Sequence, residues 1–428
     1  MLLIKNAKII HPGSKLNGKK RDLLIKGGMI ESIKTKISAP KAKVLDASGA
    51  FVSIGWVDHG VQTSDPGFEH REDLISIANA AAAGGFTGLA CQPNTSPTIH
   101  SKSEVLYLKN NTRESIVDFY ALGAISHNCE GQDITEMYDM NHAGAIAYTD
   151  GKKPLQNGGL MMRALQYVKA FNGIVINHPH DYGVIKDGQM HEGIVSTSLG
   201  MKGFPAIAEE LMLQRDIYLL EYTESRLHAA NVSTANAVQQ IKEAKKKGLD
   251  ITSSTPILNL IFEDKEVLNF DTNFKVLPPL REKKDVNALR AGLKNGTIDF
   301  ISSNHTPLEQ EAKDLEFPYA KFGAIGLETL YPLYNTHLSK ILSTEDFVKI
   351  VAFNTRKAFD LPIPEIAEGA LANLTIFHPR TKWTYTKKDI QSKSKNSPLI
   401  GHDFQGKVIG IVNKETVSYT HLTLPTKA

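Results

Sequence analysis

Cysteine is nearly absent from this chain, since only Cys91 and Cys129 occur among 428 residues. Two thiols so far apart cannot build a disulfide framework or a cysteine-based zinc site. No apolar run approaches the roughly 20 residues that cross a bilayer, and the N-terminus lacks the pattern of a secretory signal peptide. We therefore expect a cytoplasmic protein with no membrane partner.

An excess of one charge is also missing, because 49 lysines and arginines face 46 aspartates and glutamates, for a formal net charge of +3. This balance gives no electrostatic surface for nucleic acid, which we do not expect as a partner. The remaining composition, 41% hydrophobic and 22% charged, is that of an ordinary globular protein with a large core. Function must therefore be inferred from individual sites.

The pattern of strands and helices changes twice along the chain. Short strands separated by Gly-, Pro- and Lys-rich turns fill the first fifty residues, and from Ile54 onward apolar strands alternate with helical patterns. Seven or eight such units predict an α/β fold of the (β/α)₈ TIM-like barrel type. Strand-like segments return after residue 365, and we expect them to complete the N-terminal β unit. The predicted domains are a small β-sandwich made of 1–50 with 365–416, and a barrel made of 51–364.

The last twelve residues, 417–428, do not continue the preceding pattern. They read VSYTHLTLPTKA, which is either a frayed tail or the translation of a transposon-type sequencing adapter. In the second case the native sequence ends near Thr416. We exclude this tail from the search for a site.

Two motifs near the start of the barrel carry a family resemblance. They are GWVDHGVQTSDPGFEHREDL, from Gly55, and QPNTSP, from Gln92. They resemble the dihydroorotase family of the amidohydrolase superfamily, whose first strand typically reads D-x-H-x-H-x-R-E-P-G and whose next landmark is M-P-N-T-x-P. Similar segments continue through nearly the whole chain, among them TDGKKPLQNGGLM, KVLPPLR and GTIDFISSNHTP. The resemblance implies a (β/α)₈ barrel with a small β-sandwich. It also implies a reaction that opens or closes a cyclic amide with one or two zinc ions.

The resemblance also assigns the metal-ligand positions and the catalytic aspartate, and most of them are changed. In chain order these positions hold Gly60, Gln62, Asp150, Gly151, His178, Asn231 and Asn304. Glycine has no donor atom, and amide oxygens are weak ligands for zinc. Asn304 stands at the position of the catalytic aspartate, where an amide cannot transfer the proton. Only Asp150 and His178 remain as ligands, so we expect no zinc and no other cofactor.

Several nearby residues allow more than one interpretation. Asp150 is either a ligand or a loop residue that accepts hydrogen bonds from backbone, and we favour the second. His180 and His228 could hold a displaced ion together with His178 and Asp150. His59 precedes the first changed position, and strand alternation predicts that it faces the surrounding helices rather than the barrel interior.

The substrate contacts implied by the resemblance are reduced as well. Relatives hold the substrate carboxylate with an arginine and with the Asn of the P-N-T motif, and here these positions are Ser64 and Asn94. Loss of a bidentate guanidinium removes the main attraction for a carboxylate. Leu277 stands where the family motif K-V-N-P-P-L-R has a polar residue. Asn94 is therefore interpreted as a vestige of a substrate site.

These substitutions favour a catalytically inactive, dihydroorotase-like protein that acts as a structural or regulatory partner in pyrimidine biosynthesis. By analogy with non-catalytic members of the family, the expected partner is aspartate carbamoyltransferase or a second copy of the chain. One alternative is an amidohydrolase that acts on a cyclic amide with rewired or metal-free chemistry. A second alternative is an active zinc dihydroorotase.

Overall fold

A computed structural model describes residues 1–419, and its first strands belong to a sheet outside the barrel. These strands are β1 (Leu2–Ile9), β2 (Lys20–Lys26), β3 (Met29–Lys34), β4 (Lys43–Asp46) and β5 (Phe51–Ile54). β1 pairs antiparallel with β2, and parallel with β4 and β5. Gly27 and Gly28 both have positive φ in the turn between β2 and β3, as a tight hairpin turn requires.

Eight parallel strands then form the barrel. They are β6 (Trp56–Val61), β7 (Phe86–Cys91), β8 (Asp118–Gly123), β9 (Ala147–Tyr148), β10 (Val175–Asn177), β13 (Leu227–Ala229), β14 (Ile251–Pro256) and β15 (Phe300–Ser302). The strands β11 (Met190–His191) and β12 (Gly203–Phe204) form a separate two-stranded sheet between β10 and β13 in the chain. The order of the barrel strands is β6-β7-β8-β9-β10-β13-β14-β15. The Gln62 N–H donates to the His305 carbonyl at 3.2 Å, which links the first strand to the last. The predicted (β/α)₈ barrel is confirmed.

Helices connect most of the barrel strands. Over the described residues the α-helices are α1 (Leu74–Gly84), α2 (Lys102–Asn111), α3 (Met137–Ala143), α4 (Gly158–Lys169), α5 (Tyr182–Ile185), α6 (Ile194–Ser198), α7 (Ile207–Thr223), α8 (Ala235–Lys246), α9 (Lys283–Asn295), α10 (Leu330–Leu333), α11 (Thr344–Val348) and α12 (Thr355–Ala358). π-helical turns cover Tyr334–Leu338 and Lys349–Asn354. None of the helices described here combines the length and the apolar character that crossing a membrane requires.

The C-terminal strands return to the first sheet. They are β16 (Asn373–Thr384), β17 (Asp403–Asn413) and β18 (Thr416–Tyr419). β16 pairs antiparallel with both β5 and β17, so the two chain ends share one eight-stranded sheet. The predicted domain boundaries stay predictions. Of the predicted tail, residues 420–428 lie outside the described residues, and its origin in an adapter stays a prediction.

Trp56, at the start of β6, connects the barrel to the terminal sheet. Its side chain is fully buried, and it lies with ring centroids 5.2–6.1 Å from four other aromatic rings. These rings belong to Phe86, Tyr331, Phe347 and Phe377. Because they come from the barrel, its C-terminal helices and β16, this cluster fixes the sheet against the barrel.

The two tryptophans of the chain allow a matched test of this cluster. We expect Trp56→Ala to lower the free energy of unfolding by about 3–5 kcal/mol, the usual cost of deleting a buried large aromatic side chain. Trp383→Ala is the control, because Trp383 on β16 is only half-buried. It should lower the free energy of unfolding clearly less. Urea unfolding followed by circular dichroism measures both, and equal losses would contradict the assigned role of Trp56.

Candidate functional site at the barrel mouth

The positions singled out from the sequence lie where barrel strands end at their carboxyl side. Gly60 is near the end of β6, and His178 directly follows β10. Gln62 and Ser64 follow β6, Asn94 follows β7, and Asp150 and Gly151 follow β9. Asn231, Leu277 and Asn304 follow β13, β14 and β15, respectively. This is the face of the fold on which barrel enzymes carry their active sites.

Asn304 is the centre of a hydrogen-bonded group at this mouth. Its Oδ1 accepts hydrogen bonds from Lys152 Nζ and from Asn231 Nδ2, the latter at 3.2 Å. Its Nδ2 donates to the Leu277 carbonyl at 3.0 Å. Ser302 Oγ donates to Asn231 Oδ1 at 2.6 Å. The structure therefore brings Asn231, Asn304 and Leu277 together, and both ends of the Asn304 amide are engaged.

Lys152 is the member of this group that sequence reasoning missed. Its side chain is half-buried, and burial lowers its pKa to about 8 against the opposing effect of the Asp58 carboxylate. Burial lowers the pKa of His59 to about 3, of His180 to about 4, and of His178 well below its usual value, and the charge of Lys152 adds to each shift. An ammonium group thus stands among the side chains of the mouth.

Gln92 fills the space between two of the changed positions. Gly60 and Gly151 have φ of +73° and +67°. A Cβ added to Gly60 would lie 2.9 Å from Gln92 Nε2, and one added to Gly151 would lie 2.4 Å from Gln92 Oε1 and 1.8 Å from Asn94 Oδ1. Gln92 stands where the family motif M-P-N-T-x-P has methionine, and this departure was the signal that could have identified it.

Asp150 and Asn94 are both engaged with backbone. The Asp150 carboxylate accepts hydrogen bonds from the N–H groups of Ile125 and Ser126, each at 2.9 Å, and from Ser126 Oγ. Asn94 Nδ2 donates to the Asp150 carbonyl at 3.0 Å, and Asn94 Oδ1 accepts the Lys152 N–H at 3.1 Å. Asn94 therefore fixes the loop that carries Lys152, and the Asp150 carboxylate organises a neighbouring loop.

His178 and His180 form a buried pair with ring centroids 4.9 Å apart. Among the described residues, neither Nδ1 atom has a hydrogen-bond partner. The charge of His180 contributes, after burial, to lowering the pKa of His178. Both imidazoles are therefore neutral near pH 7.

The predicted orientation of His59 is wrong. His59 Nε2 lies 2.8 Å from Ser254 Oγ on β14, and its ring centroid is 5.2 Å from that of His228 on β13. In the closed barrel β15 lies between β6 and β14. Side chains on β6 and β14 can therefore meet only across the barrel interior. The positive φ of Gly60 and the register shift after His59 break the alternation of side chains. His228 also lies 3.0 Å from both Ser254 Oγ and Thr252 Oγ1, so it too is a core residue.

Ser64 lies in the turn that follows Gln62. It is buried and has a φ of +62°, and its carbonyl accepts the Phe68 N–H at 2.7 Å. The backbone of this turn is thereby fixed. A serine here offers a short neutral hydroxyl where the resemblance implies an arginine, and it cannot form the bidentate ion pair that a guanidinium makes with a carboxylate.

Three potential metal-ligating side chains come together elsewhere. Within residues 1–419, the group of His, Cys, Asp or Glu whose ligand atoms all lie within 4.8 Å of one another is His191, Glu282 and Asp285. Arg281 Nη1 lies 3.2 Å from His191 Nδ1. Since a guanidinium only donates, the proton of a neutral His191 is on Nε2, the atom that faces Glu282 at 3.9 Å. This group contains no residue of the mouth, and a protonated Nε2 is not a ligand.

The crowding at Gly151 can be measured against a glycine with similar backbone strain. Gly151→Ala is expected to lower the free energy of unfolding by about 1–3 kcal/mol, because its Cβ would overlap Asn94 and Gln92. Gly248→Ala is the control, since Gly248 has a φ of +81° with no atom near the added Cβ. Urea unfolding should show the larger loss for Gly151→Ala. Equal losses would mean that Asn94 and Gln92 do not pack against Gly151.

Comparisons with known proteins agree with this architecture. A dihydro-orotase-like family model matches residues 49–237. A dihydroorotase from Geotalea daltonii is 38% identical over 408 residues, which cover 95% of this chain and 96% of the relative, and one from Pelotomaculum thermopropionicum is 40% identical over 409 residues, which cover 95% of each. Among solved structures, the L-hydantoinase (dihydropyrimidinase) from Arthrobacter aurescens is 23% identical and has the same fold, with a TM-score of 0.86 over 97% of this chain and 95% of that one. The chain therefore belongs to the dihydroorotase family.

Proposed function

We propose that this chain is a catalytically inactive member of its family that acts as a structural or regulatory partner in pyrimidine biosynthesis. The observation that carries the proposal is the state of Asn304. At the position of the family's catalytic aspartate, its amide oxygen accepts two hydrogen bonds and its amide nitrogen donates a third. An amide has no proton to exchange at accessible pH, so it cannot act as general acid or base.

The donors at the mouth do not fit a zinc ion. Gly60 has no side-chain donor, and Gln62 and Asn231 offer amides, which bind zinc weakly beside imidazole. The Asp150 carboxylate already accepts three hydrogen bonds. One imidazole, that of His178, remains at the assigned positions, whereas structural and catalytic zinc sites use three or four protein ligands.

The substrate side of the mouth supports the same conclusion. Ser64 cannot replace a guanidinium as a partner for a carboxylate. Leu277 contributes only its carbonyl, which is taken by Asn304. Asn94 is committed to the loop of Asp150 and Lys152. We therefore propose that a small anionic substrate is not held here.

One exposed helix face suits a partner role. Ile207, Leu211, Tyr218 and Tyr222 lie along one side of α7, and each side chain is 50–73% exposed. Exposed apolar patches of this kind mark interaction surfaces. These four residues are symmetric about the point between Gln214 and Arg215, close to the middle of the 17-residue helix. In an antiparallel pair related by a two-fold axis, Ile207 therefore meets Tyr222 and Leu211 meets Tyr218. This symmetry favours a second copy of the chain as the occupant.

Aspartate carbamoyltransferase is a further proposed partner, by analogy with non-catalytic members of the family. Affinity capture of the full-length chain from its native cells, with identification of co-purifying proteins, tests this part of the proposal. Recovery of aspartate carbamoyltransferase in stoichiometric amount would support it. Recovery of the tagged chain with only its own untagged copies would contradict it and would leave the homo-oligomer.

A rewired amidohydrolase is the second candidate function. The buried imidazoles of His178 and His180, whose Nδ1 atoms lack partners within residues 1–419, are the observation in its favour. Such unpaired nitrogen atoms are available to a ligand or to a displaced ion. Stoichiometric metal without turnover of dihydroorotate would favour this candidate, and zinc with that turnover would favour an active dihydroorotase.

Metal content and turnover therefore test the proposal together. We expect the purified full-length chain, produced with zinc in the medium, to contain no stoichiometric zinc and to leave dihydroorotate unchanged, because the assigned positions hold too few ligands for zinc and Asn304 cannot transfer the proton. Elemental analysis and chromatographic detection of dihydroorotate hydrolysis measure the two quantities. Stoichiometric zinc accompanied by hydrolysis would contradict the proposal.

The α7 surface gives a separate prediction. We expect sedimentation to show a concentration-dependent dimer that Leu211→Glu converts to a monomer, because a charge would be buried in the apolar stripe. Ile75→Glu, at an apolar position on α1 that is 77% exposed, is the matched control and should leave the dimer intact. A chain that stays monomeric at all concentrations would contradict the assignment of a second copy to this surface.

A further inference from the structure

We infer that Lys152 and Gln92 together take the place of a metal centre in this barrel. The ammonium group supplies the positive charge, and the glutamine side chain fills the volume that ligand side chains would need. This inference rests on the metal-free mouth of the proposed function, and it goes further by naming the residues that make the mouth stable without an ion.

The charge is carried by Lys152 Nζ, which donates to Asn304 Oδ1. The same oxygen accepts from Asn231 Nδ2 at 3.2 Å, so Lys152 and the residue at a family ligand position both donate to the amide that stands in place of the catalytic carboxylate. A lone buried ammonium is unfavourable unless it is paired and hydrogen-bonded. Here the buried Asp58 carboxylate attracts it, and an amide oxygen binds it.

Two carboxylates lie near Lys152, and both are engaged by hydrogen bonds. Asp58 is held by the N–H groups of Ser303 and His59 and by Ser303 Oγ. The Asp150 carboxylate accepts hydrogen bonds from the N–H groups of Ile125 and Ser126 and from Ser126 Oγ. Neither carboxylate is therefore free, and an added dication would meet the Lys152 ammonium without an unengaged anion to balance it.

The volume is filled by Gln92. A Cβ added at Gly60 would lie 2.9 Å from Gln92 Nε2, and a Cβ added at Gly151 would lie 2.4 Å from Gln92 Oε1. A single side chain thus packs against two positions that carry metal ligands in the family. The three residues are coupled, because a side chain at either glycine requires Gln92 to move.

Asn94 is the positioning residue for Lys152. It donates to the carbonyl of Asp150 and accepts the N–H of Lys152, which fixes the backbone on both sides of Gly151. A lysine side chain loses considerable rotamer freedom when it is held in one place, and a fixed starting point reduces that loss. The surviving Asn of the P-N-T motif therefore has a role in this mouth without any substrate.

The inference predicts that ligands alone do not restore zinc binding. The starting variant carries Gly60→His, Gln62→His, Asn231→His, Asn304→Asp and Gln92→Met. Adding Lys152→Gly should tighten zinc binding by at least about 10-fold, because it removes a positive charge beside the ion. Adding Lys153→Gly is the control, since Lys153 is an exposed neighbour in the same loop and its replacement loosens the backbone equally.

Zinc alone is the probe, its affinity is measured by competition with a chromogenic chelator, and circular dichroism verifies that each variant is folded. Tight zinc binding with Lys152 retained, or equal affinities for the Lys152→Gly and Lys153→Gly variants, would overturn the inference. This outcome is distinct from failure of the proposed function, which would appear as zinc and turnover in the unaltered chain.

A single substitution tests the same inference without the multiple changes. Lys152→Gly should lower Tm more than Lys153→Gly does, and butylammonium chloride should recover part of the loss because it can place an ammonium beside Asn304. 1-Butanol has a similar volume without the charge and should not rescue the variant. Equal effects of the amine and the alcohol, or equal Tm values for the two glycine variants, would overturn the role assigned to the Lys152 charge.

Discussion

The hydrogen bond from the Lys152 ammonium to the amide oxygen of Asn304 is the contact on which the barrel mouth depends. It joins the loop after β9 to the loop after β15, and Asn231 adds the end of β13 to the same oxygen. A metal ion can connect strand ends of a barrel because several ligands converge on it. In this chain the loops meet at the Asn304 amide oxygen, and we propose that this contact organises them without an ion.

The scaffold that holds this contact is built in the ordinary way for its family. Parallel strands place their carboxyl ends at one face, and the terminal sheet is anchored to the barrel through the aromatic cluster around Trp56. Relatives identical at 38–40% over nearly the full length share the family. Under the proposed function, the frame has been kept while the chemistry has changed, as expected when function depends on a few side chains placed on a fold.

Much of the fold could be predicted from the sequence, because alternating strand and helix patterns report burial directly. The strand patterns after residue 365 predicted a return to the N-terminal β unit, but the pairing of β16 with β5 was not predicted, because residues 51–54 were assigned to the barrel. The orientation of His59 was not, because a positive φ at Gly60 reverses the alternation locally and nothing in the residue pattern reports it. The sequence shows the helical spacing of the apolar residues on α7, but it does not show that these side chains are exposed.

Lys152 and its contact with Asn304 were harder to predict from the sequence than the substitutions at the family's ligand positions. Replaced ligands are visible position by position, whereas Lys152 lies in the polar segment TDGKKP and reads as an exposed loop residue. Its contact with Asn304 joins residues 152 positions apart, and such contacts follow from the closed barrel rather than from local sequence. Gln92 was a visible departure from the family motif, but its meaning depends on the two glycines that it packs against.

X-ray diffraction from crystals of the full-length chain grown with zinc, collected at the zinc absorption edge, tests the central claim most directly. The account predicts density that connects Lys152 Nζ to Asn304 Oδ1, with Gln92 between Gly60 and Gly151 and no anomalous peak at the mouth. An anomalous peak beside His178, with the Lys152 side chain turned away from Asn304, would contradict it.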